Sequence, residues 1–279
     1  FLIIFIILCL LVLIFKKTYP PQIVSPIPPE PKQSISLQTV VQKELEGTTG
    51  NYGIIIKNFK TGEYYSQNGQ RTFLSGSLYK LWVMGTVYQQ IKDGILHKDD
   101  ILIQEISVLN EKFHLDPETA ERTEGTITFS VKDALEQMIT VSDNYSALLL
   151  TEKVKLSSVA SFLQTNGLTQ SKVSTESGAP TVTPYDINLF LEKLYKGEMI
   201  DKQSSKEILN LLKKQQVNHK IPKLLPKEIV VAHKTGELEE FSHDAGLVFT
   251  QKGDYLIVVL SESNTPALAE EKIAKLIGL

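Results

Sequence analysis

The spacing of apolar residues changes period four times along this chain, and the order of the changes leaves few folds open. Residues 37–46 carry a helical pattern (Leu37, Val40, Val41, Leu45). A strand is predicted at 52–58, followed by the turn Lys60-Thr61-Gly62-Glu63 and a second strand from Tyr64, which together make a hairpin. From 77 to about 96 the period is helical again, through Leu78, Leu81, Trp82, Met84, Val87, Tyr88 and Ile91. A mainly helical middle then runs to about residue 216, with helices expected at 131–140, 145–153, 159–166, 183–195 and 204–215. Strands return at 228–233, 245–250 and 255–261, the last two joined by Gln251-Lys252-Gly253-Asp254, and a helix at about 266–277 closes the chain. With strands only near the two ends, the ends must complete each other's sheet. The expected fold is α+β: a five-stranded antiparallel sheet flanked by N- and C-terminal helices, with an inserted all-helical lobe and an active cleft between the two.

The first seventeen residues read differently. Residues 1–15 hold no charged side chain and stop at Lys16-Lys17. At ~1.5 Å per residue such a run falls short of the roughly 20 residues a bilayer span needs. The sequence opens on Phe rather than Met, so residues upstream are expected, and with them 1–17 is a transmembrane anchor. A cleaved signal peptide is the rival, but Thr18-Tyr19-Pro20-Pro21 offers no small-x-small cleavage site. Cys9 follows the bulky Leu8 and is read as a lipid-facing thiol. Lys16-Lys17 alone would draw their end toward the cytoplasm, so orientation depends on charges further upstream. Residues 18–34 hold Pro20, Pro21, Pro26, Pro28, Pro29 and Pro31, half of the chain's 12 prolines. That density forbids helix and favours an extended spacer, with a proline-motif ligand as the alternative. The folded domain, 35–279, has no cysteine, so it needs no oxidising compartment and tolerates one.

A net charge of −3 gives no basic field for nucleic acid. His97, His114, His219, His233 and His243 fall in no zinc-type spacing, and no glycine-rich phosphate loop occurs. Neither a metal nor any other cofactor is expected.

Three short motifs carry chemistry. Ser77-Leu78-Tyr79-Lys80 opens a helical stretch, and positions i and i+3 share a helix face. A serine there has free backbone N–H groups and the positive end of the helix dipole around it, which suit a developing oxyanion. Lys80, flanked by Leu81 and Trp82, is placed where desolvation lowers an amine's pKa enough to take the Ser77 proton. Ser142-Asp143-Asn144 falls between two helical stretches. Its hydroxyl can relay a proton to a leaving nitrogen, and Asn144 can bond both Lys80 and a substrate amide. Lys234-Thr235-Gly236 ends an apolar strand, where a lysine and a hydroxyl can grip a carboxylate and Gly236 admits a close ligand backbone. The Glu237 N–H can pair with that of Ser77 as an oxyanion hole. Each motif alone is common: a serine N-cap, a capping turn, a strand ending in Thr-Gly. Lys60-Thr61-Gly62 and Ser66-Gln67-Asn68 mimic two of them and are read as turn chemistry.

In this order and setting, S-x-x-K, S-D-N and K-T-G resemble the class A β-lactamases and penicillin-binding proteins over roughly residues 36–279. The resemblance implies that Ser77 is acylated, Lys80 is its base or proton partner and Ser142 protonates the leaving nitrogen. It also implies that Asn144 positions substrate while Lys234 and Thr235 bind its carboxylate. One element is missing. The E-x-x-L-N that supplies the deacylating glutamate of class A enzymes has no counterpart after Ser142: Glu105 to Asn110 is a residue too long and too early, Glu207 to Asn210 a residue too short and too late. The loop before Thr183 holds one carboxylate, Glu176, which is either a stand-in general base or a solvated loop residue. Glu237 is a weaker candidate, and His243-Asp244 is read as a structural polar pair.

The leading reading is an anchored, extracytoplasmic, monomeric serine hydrolase that opens β-lactams through an acyl-serine. A D-alanyl-D-alanine carboxypeptidase or penicillin-binding protein acting on peptidoglycan stem peptides is the alternative, and a non-catalytic cell-wall binding module the third. The absent E-x-x-L-N weighs toward slow turnover or the peptidase.

Overall fold

The computed structural model describes residues 31–173 and 178–277; the expected anchor at 1–17, most of the expected spacer at 18–34 and Glu176 lie outside them. From Lys32 onward the chain is one compact unit. It begins with helix α1 (Ile35–Leu45), whose N-cap Ser34 accepts from the Leu37 N–H. Strands β1 (Asn51–Asn58) and β2 (Tyr64–Gln67) follow as the expected hairpin. At the other end stand β7 (Val230–Leu238), β8 (Phe241–Phe249) and β9 (Tyr255–Glu262), then a helix, here α9 (Pro266–Ile277). The sheet order is β2-β1-β9-β8-β7, antiparallel throughout, so the two chain ends do complete one sheet.

Period-2 alternation divides the core into two. Tyr52, Ile54 and Ile56 of β1 join Ile257 and Val259 of β9 and pack on Val41 of α1 and Ala269 and Ile273 of α9. Ile55, between them in sequence, faces the opposite way with Val258 and Leu260 into the larger cluster shared with the helical lobe. Both faces of the central strands are therefore covered, and β1, β8 and β9 are buried along almost their whole length, β8 with Ser242, His243 and Asp244 among its buried residues.

The lobe contains α2 (Lys80–Lys92), α4 (Val131–Thr140), α5 (Asn144–Val154), α6 (Leu156–Thr165), α7 (Pro184–Lys196) and α8 (Lys202–Leu212), close to the predicted spans. Its centre is Trp82, fully buried and edge-on to Phe190 of α7 with ring centroids 5.4 Å apart. The lobe is not all helical, however. A hairpin of β4 (Ile101–Glu105) and β5 (Thr126–Ser130) brackets the short helix α3 (Ile106–Lys112), and a two-residue ribbon pairs β3 (Phe73–Leu74) with β6 (Thr181–Val182). Ile101 and Ile103 of β4 point to solvent, so the apolar alternation that announces a strand marks the wrong face there. β7 also runs to Leu238, so Lys234-Thr235-Gly236 lies within the edge strand and not at its end. Lys60-Thr61-Gly62 forms the expected turn, with Asn58 Oδ1 accepting from the Lys60 and Thr61 N–H groups. Among the described residues no helix is long and apolar enough to cross a membrane.

Candidate active site

Ser77 sits in a single 3-10 turn, Gly76–Tyr79, that feeds directly into α2, so the α-helix proper begins at Lys80 and not at Ser77. The turn is clamped from several sides. Ser75 donates its N–H to the Pro180 carbonyl (2.9 Å), and the imidazole of His243 donates Nε2–H to the Leu74 carbonyl (2.8 Å). Gly76 takes φ +47°, and a Cβ on it would lie 2.7 Å from the Glu237 nitrogen. A Cβ on Gly236 would lie 2.7 Å from the Ser75 carbonyl oxygen. Two glycines thus let the turn and the β7 edge lie back to back, which carries the Glu237 N–H beside the turn. Ser77 is part-exposed at the floor of a groove of ≈ 220 Å³ lined also by Gly76, Tyr79, Asn144 and Glu237.

Lys80 is fully buried. Its Nζ donates to the Ser142 carbonyl (2.6 Å), Asn144 Oδ1 (2.7 Å) and Ser142 Oγ (3.2 Å). Burial pulls its pKa down from 10.5 to about 8, against the opposing charges of Asp143 and Glu121. An amine in that range exchanges its proton near neutral pH, as a general base must. The Asn144 amide is oriented by its neighbours: Oδ1 faces the Lys80 ammonium and Nδ2 donates to Glu121 Oε1 (2.5 Å). Reversing it would set NH2 against ammonium and oxygen against carboxylate.

Lys234 is also fully buried, and its Nζ donates to Ser142 Oγ (2.9 Å) and the Thr235 carbonyl (2.9 Å). Burial, then repulsion from Lys80, holds its ammonium well below the usual lysine range. Ser142 Oγ accordingly accepts from two lysines. A hydroxyl has two lone pairs and one proton, so this arrangement leaves its O–H free to donate elsewhere. Ser142 has φ +62°, an unfavourable region for a residue with a Cβ, and its carbonyl is held there by Lys80. Asp143 caps α5, its Oδ1 accepting from Ser146 N–H at 2.6 Å.

The three motifs therefore come together: a serine hydroxyl lining the groove, a low-pKa amine, a second hydroxyl between two lysines and a buried lysine. Thr235 is buried on β7, opposite Asp244 in register. The Glu237 carboxylate turns aside to the buried Lys220 (2.8 Å). Burial works to raise its pKa, but the Lys220 bond and nearby positive charge outweigh this and the net shift is downward, which makes Glu237 a poor general base. Glu207 is engaged by Lys98, and Glu105 by Thr126.

His243 and Asp244 are not a pair. Successive strand residues face opposite ways, so Asp244 takes His233 Nδ1 (2.9 Å) and the Ile221 N–H (2.9 Å), while His243 braces the nucleophile turn. Burial pushes the His243 pKa down to about 4, consistent with a neutral ring that donates from Nε2 and accepts the Ser261 N–H at Nδ1. His219, Glu237 and Glu270 also meet, each offering a ligand atom within 4.8 Å of the others. Lys220 already donates to Glu237 and lies 4.0 Å from Glu270, so this group is an ion-pair cluster with its own cation. Glu121, Lys220 and His243 are the site residues that motif reading missed, because no short pattern links them to Ser77.

The sequence matches the beta-lactamase enzyme family over residues 36–279. No curated protein sequence is significantly similar to it. Among solved structures, a β-lactamase from Sphaerobacter thermophilus is 25% identical, with a TM-score of 0.74 over 86% of this chain and 94% of its own. PBP-A is 20% identical, with a TM-score of 0.77 over 90% of this chain and 96% of its own. A mutant of PBP-A in acyl-enzyme complex with penicillin G is 21% identical, with a TM-score of 0.77 over 90% and 97%. The last two share the fold. With its three motifs joined at Ser142 and the family match spanning residues 36–279, the chain belongs to the beta-lactamase enzyme family.

Proposed function

We propose that this chain is a serine hydrolase that opens β-lactams through an acyl-serine intermediate. Ser77 Oγ attacks the lactam carbonyl while Lys80 takes its proton. The N–H groups of Ser77 and Glu237 receive the developing oxyanion. As the ring C–N bond breaks, the Ser142 hydroxyl protonates the nitrogen and is reprotonated by the lysines behind it. Lys234 and Thr235 seat the substrate carboxylate, and Asn144 positions its acyl amide. Water then hydrolyses the ester, releasing the acid and restoring Ser77. The observation that supports this most is the Ser142 hydroxyl shared between Lys80 and Lys234, a wiring that a binding module has no use for.

The alternative is a D-alanyl-D-alanine carboxypeptidase or penicillin-binding protein, which makes the same acyl-serine on a stem peptide. Supporting it is the absence of E-x-x-L-N after Ser142, which leaves no carboxylate of the class A kind for the deacylating water. Glu176 keeps its place as a candidate base. Either substrate is met outside the cytoplasm, so the domain is proposed to work there as a monomer, held by residues 1–17 and spaced by 18–34. A pulse of fluorescent penicillin followed by a chase tests the choice. Release within seconds supports a lactamase and persistence for hours a peptidase; if Glu176→Gln releases at the wild-type rate, Glu176 plays no part.

A further inference from the structure

We propose that Glu121 makes the groove selective for acyl donors that carry an ammonium group beside the acyl amide; this rests on the lactam- or peptide-acylating reading above. The carboxylate is exposed, yet the residue that follows it is hydrogen-bonded to the lobe through both backbone groups. Tyr145, buried in the lobe, accepts the Arg122 N–H at 3.2 Å, and Asn110 Nδ2 donates to the Arg122 carbonyl at 2.7 Å. Arg122 itself is turned away, its guanidinium 3.4 Å from Asp143 and over the Tyr145 ring at 5.2 Å. Glu121 is thus held against Asn144, which lines the groove, without being neutralised by its neighbour in sequence. Among the described residues it forms no ion pair; its partner is Asn144 Nδ2.

That partner matters because Asn144 is the group that positions the acyl amide. An amide nitrogen carries two protons. One goes to Glu121, and the second remains for a substrate carbonyl. A substrate bound there brings the atoms next to its amide close to the Glu121 carboxylate. The charge of Glu121 is also felt at Lys80 and Tyr79, both of which it shifts upward in pKa. When Lys80 is in its free-base form, Glu121 loses that opposing charge, and an ammonium on the ligand supplies one. Anionic groups at the same point are repelled. The substrate class this selects is acyl chains with an α-amino group, or stem peptides whose diamino acid keeps a free amine near the scissile end.

Three penicillins with one skeleton separate the contributions: benzylpenicillin and its α-amino and α-carboxy analogues. Acylation of Ser77 is timed for each with wild type and Glu121→Gln, which keeps an acceptor for Asn144 and removes only the charge. An exposed ion pair predicts that the substitution lowers the α-amino to benzyl rate ratio about threefold to fivefold and raises the α-carboxy to benzyl ratio similarly. Both changes shrink in high salt. Unchanged ratios in a protein that all three penicillins acylate overturn the role of Glu121 and leave the proposed function intact. Unchanged acylation ratios together with an equal slowing of adduct release for all three place Glu121 in deacylation and likewise overturn it. If no penicillin acylates the wild type, the functional reading fails and this inference with it.

Discussion

Lys80 is desolvated between Ser142 and Asn144, so the rate of Ser77 acylation is expected to follow the Lys80 free base as pH changes. The shift from 10.5 to about 8 sets the magnitude. At pH 7 an amine of pKa 8 is about one-tenth free base, against ~0.03% for one at 10.5, a gain of ~300-fold in reactive form. Between about pH 6 and pH 9 the single-turnover rate at saturating probe should rise ~90-fold and then level off. Lys80→Met, of similar volume and without a titrating group, should give a low and flat profile. The assay is quench-flow labelling with a fluorescent penicillin, read on denaturing gels, with a thermal melt confirming that each variant is folded. A wild-type rate that is flat from pH 6 to 9 would remove Lys80 as the base. A rate still climbing tenfold per pH unit beyond 9.5 would mean that burial does not lower its pKa.

Ser142→Gly relieves the positive φ and should leave stability equal or higher by about 1 kcal/mol in urea titration, while acylation falls ~100-fold or more because the nitrogen loses its proton donor. Equal activity would show that protonation bypasses Ser142. Lys234→Gln should weaken half-saturation by the penicillin ~10- to 100-fold, the loss of a buried charge-assisted bond, with a smaller effect on the maximal rate. For His243 the pKa falls on folding from 6.5 to about 4, so the unfolded chain binds more protons between those values. Its contribution is complete above pH 6.5 and lost as pH falls toward 4, by about 3 kcal/mol. His243→Asn should flatten that part of the stability–pH curve, and an unaltered slope would contradict the assignment.

Much of the fold was legible because the chain obeys period rules where its elements are long. Val131–Thr140 and Pro184–Lys196 announce themselves by amphipathic spacing, a serine cap and a Thr-Pro start. The sheet was recoverable from complementary ends. The β4–β5 hairpin was not, since Ile101 and Ile103 face solvent, and the β3–β6 ribbon is too short to show a period. That Lys80, Ser142, Asn144 and Lys234 come together near Ser77 could be anticipated because their motifs are local. Glu121 and His243 reach Asn144 and the strand before the Ser77 turn through contacts across the fold, Asn144 Nδ2 and the Leu74 carbonyl, which no sequence spacing encodes. The reading of His243-Asp244 as a pair failed for the simplest reason: strand neighbours point apart.

Intact-mass and peptide mapping of the domain after exposure to penicillin puts the acyl-serine to the most direct test. One penicilloyl adduct on the peptide containing Ser77, absent from Ser77→Ala, is the predicted result. A folded protein that stays unmodified, or that carries the adduct on another residue, would contradict it.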